Sequence, residues 1–132
     1  MSYREAVRTG RIGEFFAAAI IEQMGWQTAM CQQSGVDMIL WKNDHYFRAQ
    51  VKASHVHKDR EKLQFHFGLG GKKRRPVDEF DLACCVSIPH RKAFFMPISD
   101  IHQVTLSKPV YFFDDPEIEN YSFNYTMETL LS

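Results

Sequence analysis

The chain has 132 residues, of which 45% are hydrophobic and 14% aromatic, a composition that excludes a disordered polymer and fits one packed domain. Sixteen Lys and Arg balance sixteen Asp and Glu, which excludes a uniformly basic surface but not a polarised one: residues 1–76 carry 13 basic against 7 acidic side chains, and residues 93–132 carry one against six. No apolar run reaches the ~20 residues of a membrane span. Arg4, Glu5, Arg8 and Arg11 break the N-terminus before any secretory core could form, so a cytoplasmic protein is expected.

Residues 2–24 are predicted to form a helix. Phe16, Ile20 and Met24 recur every four positions beside Ala17 and Ile21, and Gly25 supplies a stop. Glu14 falls at the margin of that apolar stripe. Residues 26–31 read as a strand, Gln33-Ser34-Gly35 as punctuation, and 36–41 as a strongly apolar strand. The turn composition of Lys42-Asn43-Asp44-His45 predicts a hairpin returning over 46–53. On the returning strand Phe47, Ala49, Val51 and Ala53 share one face, while Tyr46, Arg48, Gln50 and Lys52 share the other.

The segment 54–75 is polar, with a short strand expected at 63–67, and ends in Lys72-Lys73-Arg74-Arg75 after a glycine-rich stretch. A buried strand is expected at 81–88, another at 92–96, and a short helical turn after Pro97. The aromatic C-terminal third has no clear period, and its aromatic residues are expected in the core or at a subunit interface. The whole is an α/β chain with a central mixed sheet.

Four polar residues stand out against this frame: Glu14 on the helix, Asp37 at the start of a strand, and Gln50 and Lys52 two apart on the next. Two carboxylates and an amide oxygen suit a hard divalent cation, which needs few protein ligands when substrate phosphate completes its shell. An ammonium beside them would orient water or stabilise developing negative charge. Asp37, Gln50 and Glu14 are therefore the candidate metal ligands, for Mg²⁺ with Mn²⁺ as substitute, and Glu14, Asp37, Gln50 and Lys52 the candidate catalytic set. Arg4, Arg8 and Arg11 recur at helical spacing ahead of Glu14. With Arg48 and the run Lys72, Lys73, Arg74 and Arg75, they are the candidate DNA-phosphate contacts. Cys31, Cys84 and Cys85 make no disulfide framework and are expected as free thiols.

Gly13-Glu14 on the helix, Gly35-Val36-Asp37 opening a strand, and Gln50-Val51-Lys52 together resemble the PD-(D/E)XK nuclease superfamily. The similarity spans about residues 5–102 and looks closest to the small branch that holds archaeal Holliday-junction resolvases and an intron-encoded homing endonuclease. It implies a restriction-endonuclease-like αβββαβ core flanked by helices, with 103–132 as an accessory or interface segment. It also implies a metal-dependent endonuclease acting on DNA, site-specific or structure-specific, working as a homodimer or a dimer of dimers. Gln50 stands where the family more commonly has an acidic residue, removing one negative charge from the metal site. A catalytically inactive DNA-binding or scaffold protein, or a subunit awaiting a larger assembly, is the competing expectation.

Overall fold

The structure, a computed structural model, describes residues 2–33, 35–56, 61–68 and 75–132. The chain opens with helix α1 (Tyr3–Gln23), followed by strands β1 (Gln27–Gln33), β2 (Val36–Lys42), β3 (His45–Ser54) and β4 (Lys62–His66). Then come β5 (Leu82–Ser87), β6 (Lys92–Pro97), a 3-10 turn at Ile98–Asp100, β7 (Thr105–Pro109), a second 3-10 segment and helix α2 (Ile118–Leu131).

Local chemistry accounts for the boundaries. Ser2 caps α1 by accepting the Glu5 amide at 3.2 Å, while its own amide donates to the Glu5 carboxylate at 3.3 Å, a reciprocal capping box. The helix stops at Gly25, whose φ of +93° suits glycine. Between β2 and β3 the ladder closes at Lys42↔His45, leaving the two-residue loop Asn43-Asp44, with Asn43 at φ 54°.

The main sheet runs β1-β2-β3-β5-β6, with β3 and β5 parallel and the other pairs antiparallel. Helices α1 and α2 cover one face, where Ala17, Ile20 and Ile21 meet Met38, Leu40, Leu82, Cys84, Phe123 and Met127. The β4–β7 ribbon covers the other, where Leu63 and Phe65 meet Ala83, Cys85, Phe80 and Phe113. Strand β5 is buried along its whole length, which its unalternating Leu-Ala-Cys-Cys-Val-Ser run requires. The thiols of Cys84 and Cys85 are free and fully buried, and burial pushes Cys85 up to about 12.

The α/β class and central mixed sheet agree with the sequence expectation. Two details differ. The described part of the connection between β3 and β5 carries strand β4 instead of the helix that αβββαβ requires. The C-terminal segment is woven into the core: α2 supplies Phe123 and Met127, and its side chains cap the outer edge of β6, where Glu119 accepts the Ala93 amide at 2.8 Å and Ser122 the Phe95 amide at 3.0 Å. Those two donors would otherwise template another strand. Among the described residues no helix is long and apolar enough to cross a membrane.

Candidate functional site

The site forms where β2 and β3 part. Their regular pairing ends at Met38↔Ala49, one residue short of Asp37. There the Asp37 carboxylate takes over, accepting the Val51 amide at 2.8 Å through Oδ2. That amide belongs to the peptide joining Gln50 to Val51, so the hydrogen bond ties Asp37 to the Gln50-Val51-Lys52 segment through Oδ2 alone among the described residues.

Helix α1 brings Glu14 to the same place because Gly13 lets it approach. A Cβ on Gly13 would stand 2.5 Å from the Ala53 Cβ and 3.8 Å from a Val51 methyl, so only glycine permits this packing of α1 on β3. Glu14 and Asp37 then face one cavity of about 340 Å³ together with Arg11, Phe15, Met30, Cys31 and Gln33. Burial, and secondarily the charge of Asp37, raise the Glu14 carboxyl above its ordinary value, while Arg11 pulls it back.

Gln50 and Lys52 do not line that cavity. Gln50 is only 8% exposed, and its Oε1 is buried with no hydrogen-bond partner among the described residues. An amide oxygen left in that state is costly unless something else satisfies it. Lys52 is half-buried, beside Cys85 in the β3–β5 register, and makes no ion pair among the described residues.

Two carboxylates that repel and one orphaned carbonyl oxygen are the donor set a hard divalent cation takes, so the residues present fit Mg²⁺ or Mn²⁺. Among the described residues no group of three His, Cys, Asp or Glu side chains gathers as a metal centre.

The candidate phosphate contacts divide. Arg4, Arg8 and Arg11 line a shallow groove on the exposed side of α1 with Val7, Ile12 and Phe15. Arg48 is exposed but already engaged within the fold: its guanidinium donates to both oxygens of Asp81 (3.3 and 3.2 Å) and to the carbonyls of Asp78 and Glu79. Arg75 donates to the Ile101 carbonyl at 3.3 Å. Lys72, Lys73 and Arg74 lie outside the described residues. Sequence reasoning did not single out Phe15, Met30, Cys31 or Gln33 as cavity lining. Phe15 had one available signal, its place beside Glu14 and four residues after Arg11.

The solved structure of a bacterial homing endonuclease, I-Ssp6803I, is similar in fold, with a TM-score of 0.64 over 76% of this chain and 75% of that one, at 14% sequence identity. No protein-family model matches the chain, and no curated protein sequence does.

Proposed function

We propose that this protein is a metal-dependent DNA endonuclease that hydrolyses phosphodiester bonds. The observation that carries the reading is the Gln50 Oε1, buried and without a hydrogen-bond partner among the described residues, next to the peptide that Asp37 clasps. The fold shared with a homing endonuclease supports it.

Asp37, Glu14 and Gln50 would hold Mg²⁺ or Mn²⁺. When bound, the ion would make a water more acidic and neutralise charge on the phosphoryl group. Lys52 directs its ammonium donors to a phosphate oxygen or to the attacking water. Arg11, in the same cavity, offers a bidentate contact to phosphate, and Arg4 and Arg8 continue that basic line. Arg75 and the run Lys72, Lys73 and Arg74 add sequence-independent affinity. The protein acts in the cytoplasm, as a homodimer or dimer of dimers where both strands are cut.

The test is cleavage of supercoiled plasmid, a linear duplex and a four-way junction in Mg²⁺ and Mn²⁺. Metal-dependent cutting that Asp37→Ala and Lys52→Ala both abolish is expected, and the preferred substrate separates a site-specific from a structure-specific enzyme. A second reading, a nuclease-fold DNA-binding or scaffold protein without activity, is favoured by the presence of just two carboxylates at the cavity among the described residues. It predicts salt-sensitive DNA binding with no cutting. A chain that neither cuts nor binds until a partner is added would support a subunit of a larger machine.

A further inference from the structure

Phe15 stands out among the cavity's lining residues. It is 59% exposed, although it belongs to the helix that covers the sheet, and it lines both the catalytic cavity and the adjoining groove along α1. The Arg11 guanidinium lies over its ring at 5.9 Å from the centroid, and Arg11 also lines both concavities. Met30, exposed on the edge strand β1, borders the same cavity as Phe15. An aromatic face left to solvent beside two carboxylates is costly to solubility, and Phe15 is not among the described residues that pack the core between α1 and the sheet. The surrounding charge indicates what would cover it: Arg4, Arg8 and Arg11 favour a polyanion.

From this arrangement, and resting on the nuclease reading above, we infer that Phe15 is a stacking platform for an unpaired nucleotide next to the scissile phosphate. The substrate class is therefore DNA with a local interruption of pairing, such as a bulge, a gap or a branch. In a continuous duplex both faces of every base are stacked on neighbours, and a side chain on the wall of the site has no base face to meet. An unpaired base offers one, and aromatic stacking accepts any base, so recognition would be of DNA structure and not of sequence. Arg11 joins the two contacts. Its guanidinium, 5.9 Å from the centroid of the ring that would take the base, is near enough to meet the adjoining phosphate, and its charge does not depend on the ring. The cavity, at about 340 Å³, falls in the size range of sites that hold a small ligand group.

The experiment measures binding by fluorescence anisotropy and cleavage in Mn²⁺ on three duplexes of one sequence: fully paired, with a one-nucleotide bulge, and with a single-strand gap. The wild-type chain should bind and cut the interrupted duplexes in preference. Phe15→Ala should lose roughly tenfold on them, within the range that base stacking is worth, with its affinity for the paired duplex unchanged. Phe15→Tyr should retain the preference. Because the side chain is exposed, an unchanged melting temperature is expected for both variants. Equal wild-type affinity for all three duplexes, or a preference that survives Phe15→Ala, overturns the inference while leaving the nuclease reading intact. A structure preference in binding without cleavage overturns the nuclease reading and keeps the platform. A wild-type dimer that Phe15→Ala turns into monomer overturns the inference by showing that a second copy covers this face.

Discussion

The Asp37 carboxylate accepts the Val51 amide at 2.8 Å, and this one contact connects the edge of the cavity to the strand that carries Gln50 and Lys52. It does two tasks that substitution can separate. Asp37→Ala removes both the proposed cation ligand and the acceptor of a half-buried amide. Cleavage should fall to background and stability by about 1.5–3 kcal/mol, the worth of a hydrogen bond to a charged group. Asp37→Asn can still present an oxygen to the Val51 amide. It should recover most of the stability in urea unfolding, yet show no Mn²⁺ heat in calorimetry.

Gly13 makes a second separable contribution. The 2.5 Å approach that a Cβ would make to the Ala53 Cβ cannot be relieved by rotating a side chain, because both groups are rigid. Gly13→Ala should force α1 away from β3, costing roughly 1–3 kcal/mol and displacing Glu14 from Asp37. With Ala53→Gly added, the nearest remaining contact is the Ala53 Cα at 3.6 Å, an ordinary distance. The double variant should therefore regain stability and metal affinity together. Denaturant unfolding and Mn²⁺ titration on the three proteins check this.

How much of this was legible in the sequence follows from the range of each interaction. Helix α1 and the β2–β3 hairpin were readable because their signals are local: a four-residue apolar period, a glycine stop and an Asn-Asp turn. The hairpin also places Asp37 near Gln50 and Lys52 by counting alone. Helix α2 was not readable, since exposed Tyr121 and Tyr125 lie opposite buried Phe123 and Met127 and blur the stripe. The pairing of β4 with β7 and the Arg48–Asp81 clamp join residues distant in the chain, with no local mark. That the Val51 amide would hold Asp37 could not be read either, because it depends on where the ladder ends.

Glu14 carries the pH dependence. Its carboxyl is held above the ordinary 4.5, first by burial and then by Asp37. The folded state therefore binds this proton more tightly than the unfolded chain does. Stability from this group is complete below about 4.5 and is lost as pH rises through the raised folded value. At neutral pH, Glu14→Gln should accordingly melt slightly higher than wild type without metal, by well under ~1 kcal/mol at a solvated site. The two should converge in acid. Saturating Mn²⁺ should reverse the neutral-pH order, because only the wild-type carboxylate gains a cation. Thermal melts at four pH values with and without Mn²⁺ would show it. A wild-type protein that stays the more stable in metal-free buffer at neutral pH would count against this electrostatic account.

Arg48 provides the contrast between folding and substrate binding. Its fork bridges Asp81 and the carbonyls of Asp78 and Glu79, fixing the segment that leads into β5. Arg48→Ala should cost about 1 kcal/mol, a partly exposed pair being worth little more. DNA affinity and its salt dependence should be unchanged, whereas Arg11→Ala should reduce the salt slope by about one.

Gln50 is the sharpest test of the proposed metal site. Its Oε1 is buried with no hydrogen-bond partner among the described residues, so a carboxylate placed there would be largely desolvated. Gln50→Glu should destabilise the metal-free protein as pH rises, because a third acid joins Glu14 and Asp37 in partly desolvated surroundings. The same added charge should tighten Mn²⁺ binding by roughly tenfold, equivalent to ~1.4 kcal/mol. Gln50→Leu, of similar volume and without the orphaned oxygen, should be at least as stable as wild type and should bind no metal. Calorimetric Mn²⁺ titration with parallel melting curves distinguishes these outcomes. If Gln50→Leu retained wild-type metal affinity, the amide could not be a ligand, and the ion would have to rest on Glu14 and Asp37 alone.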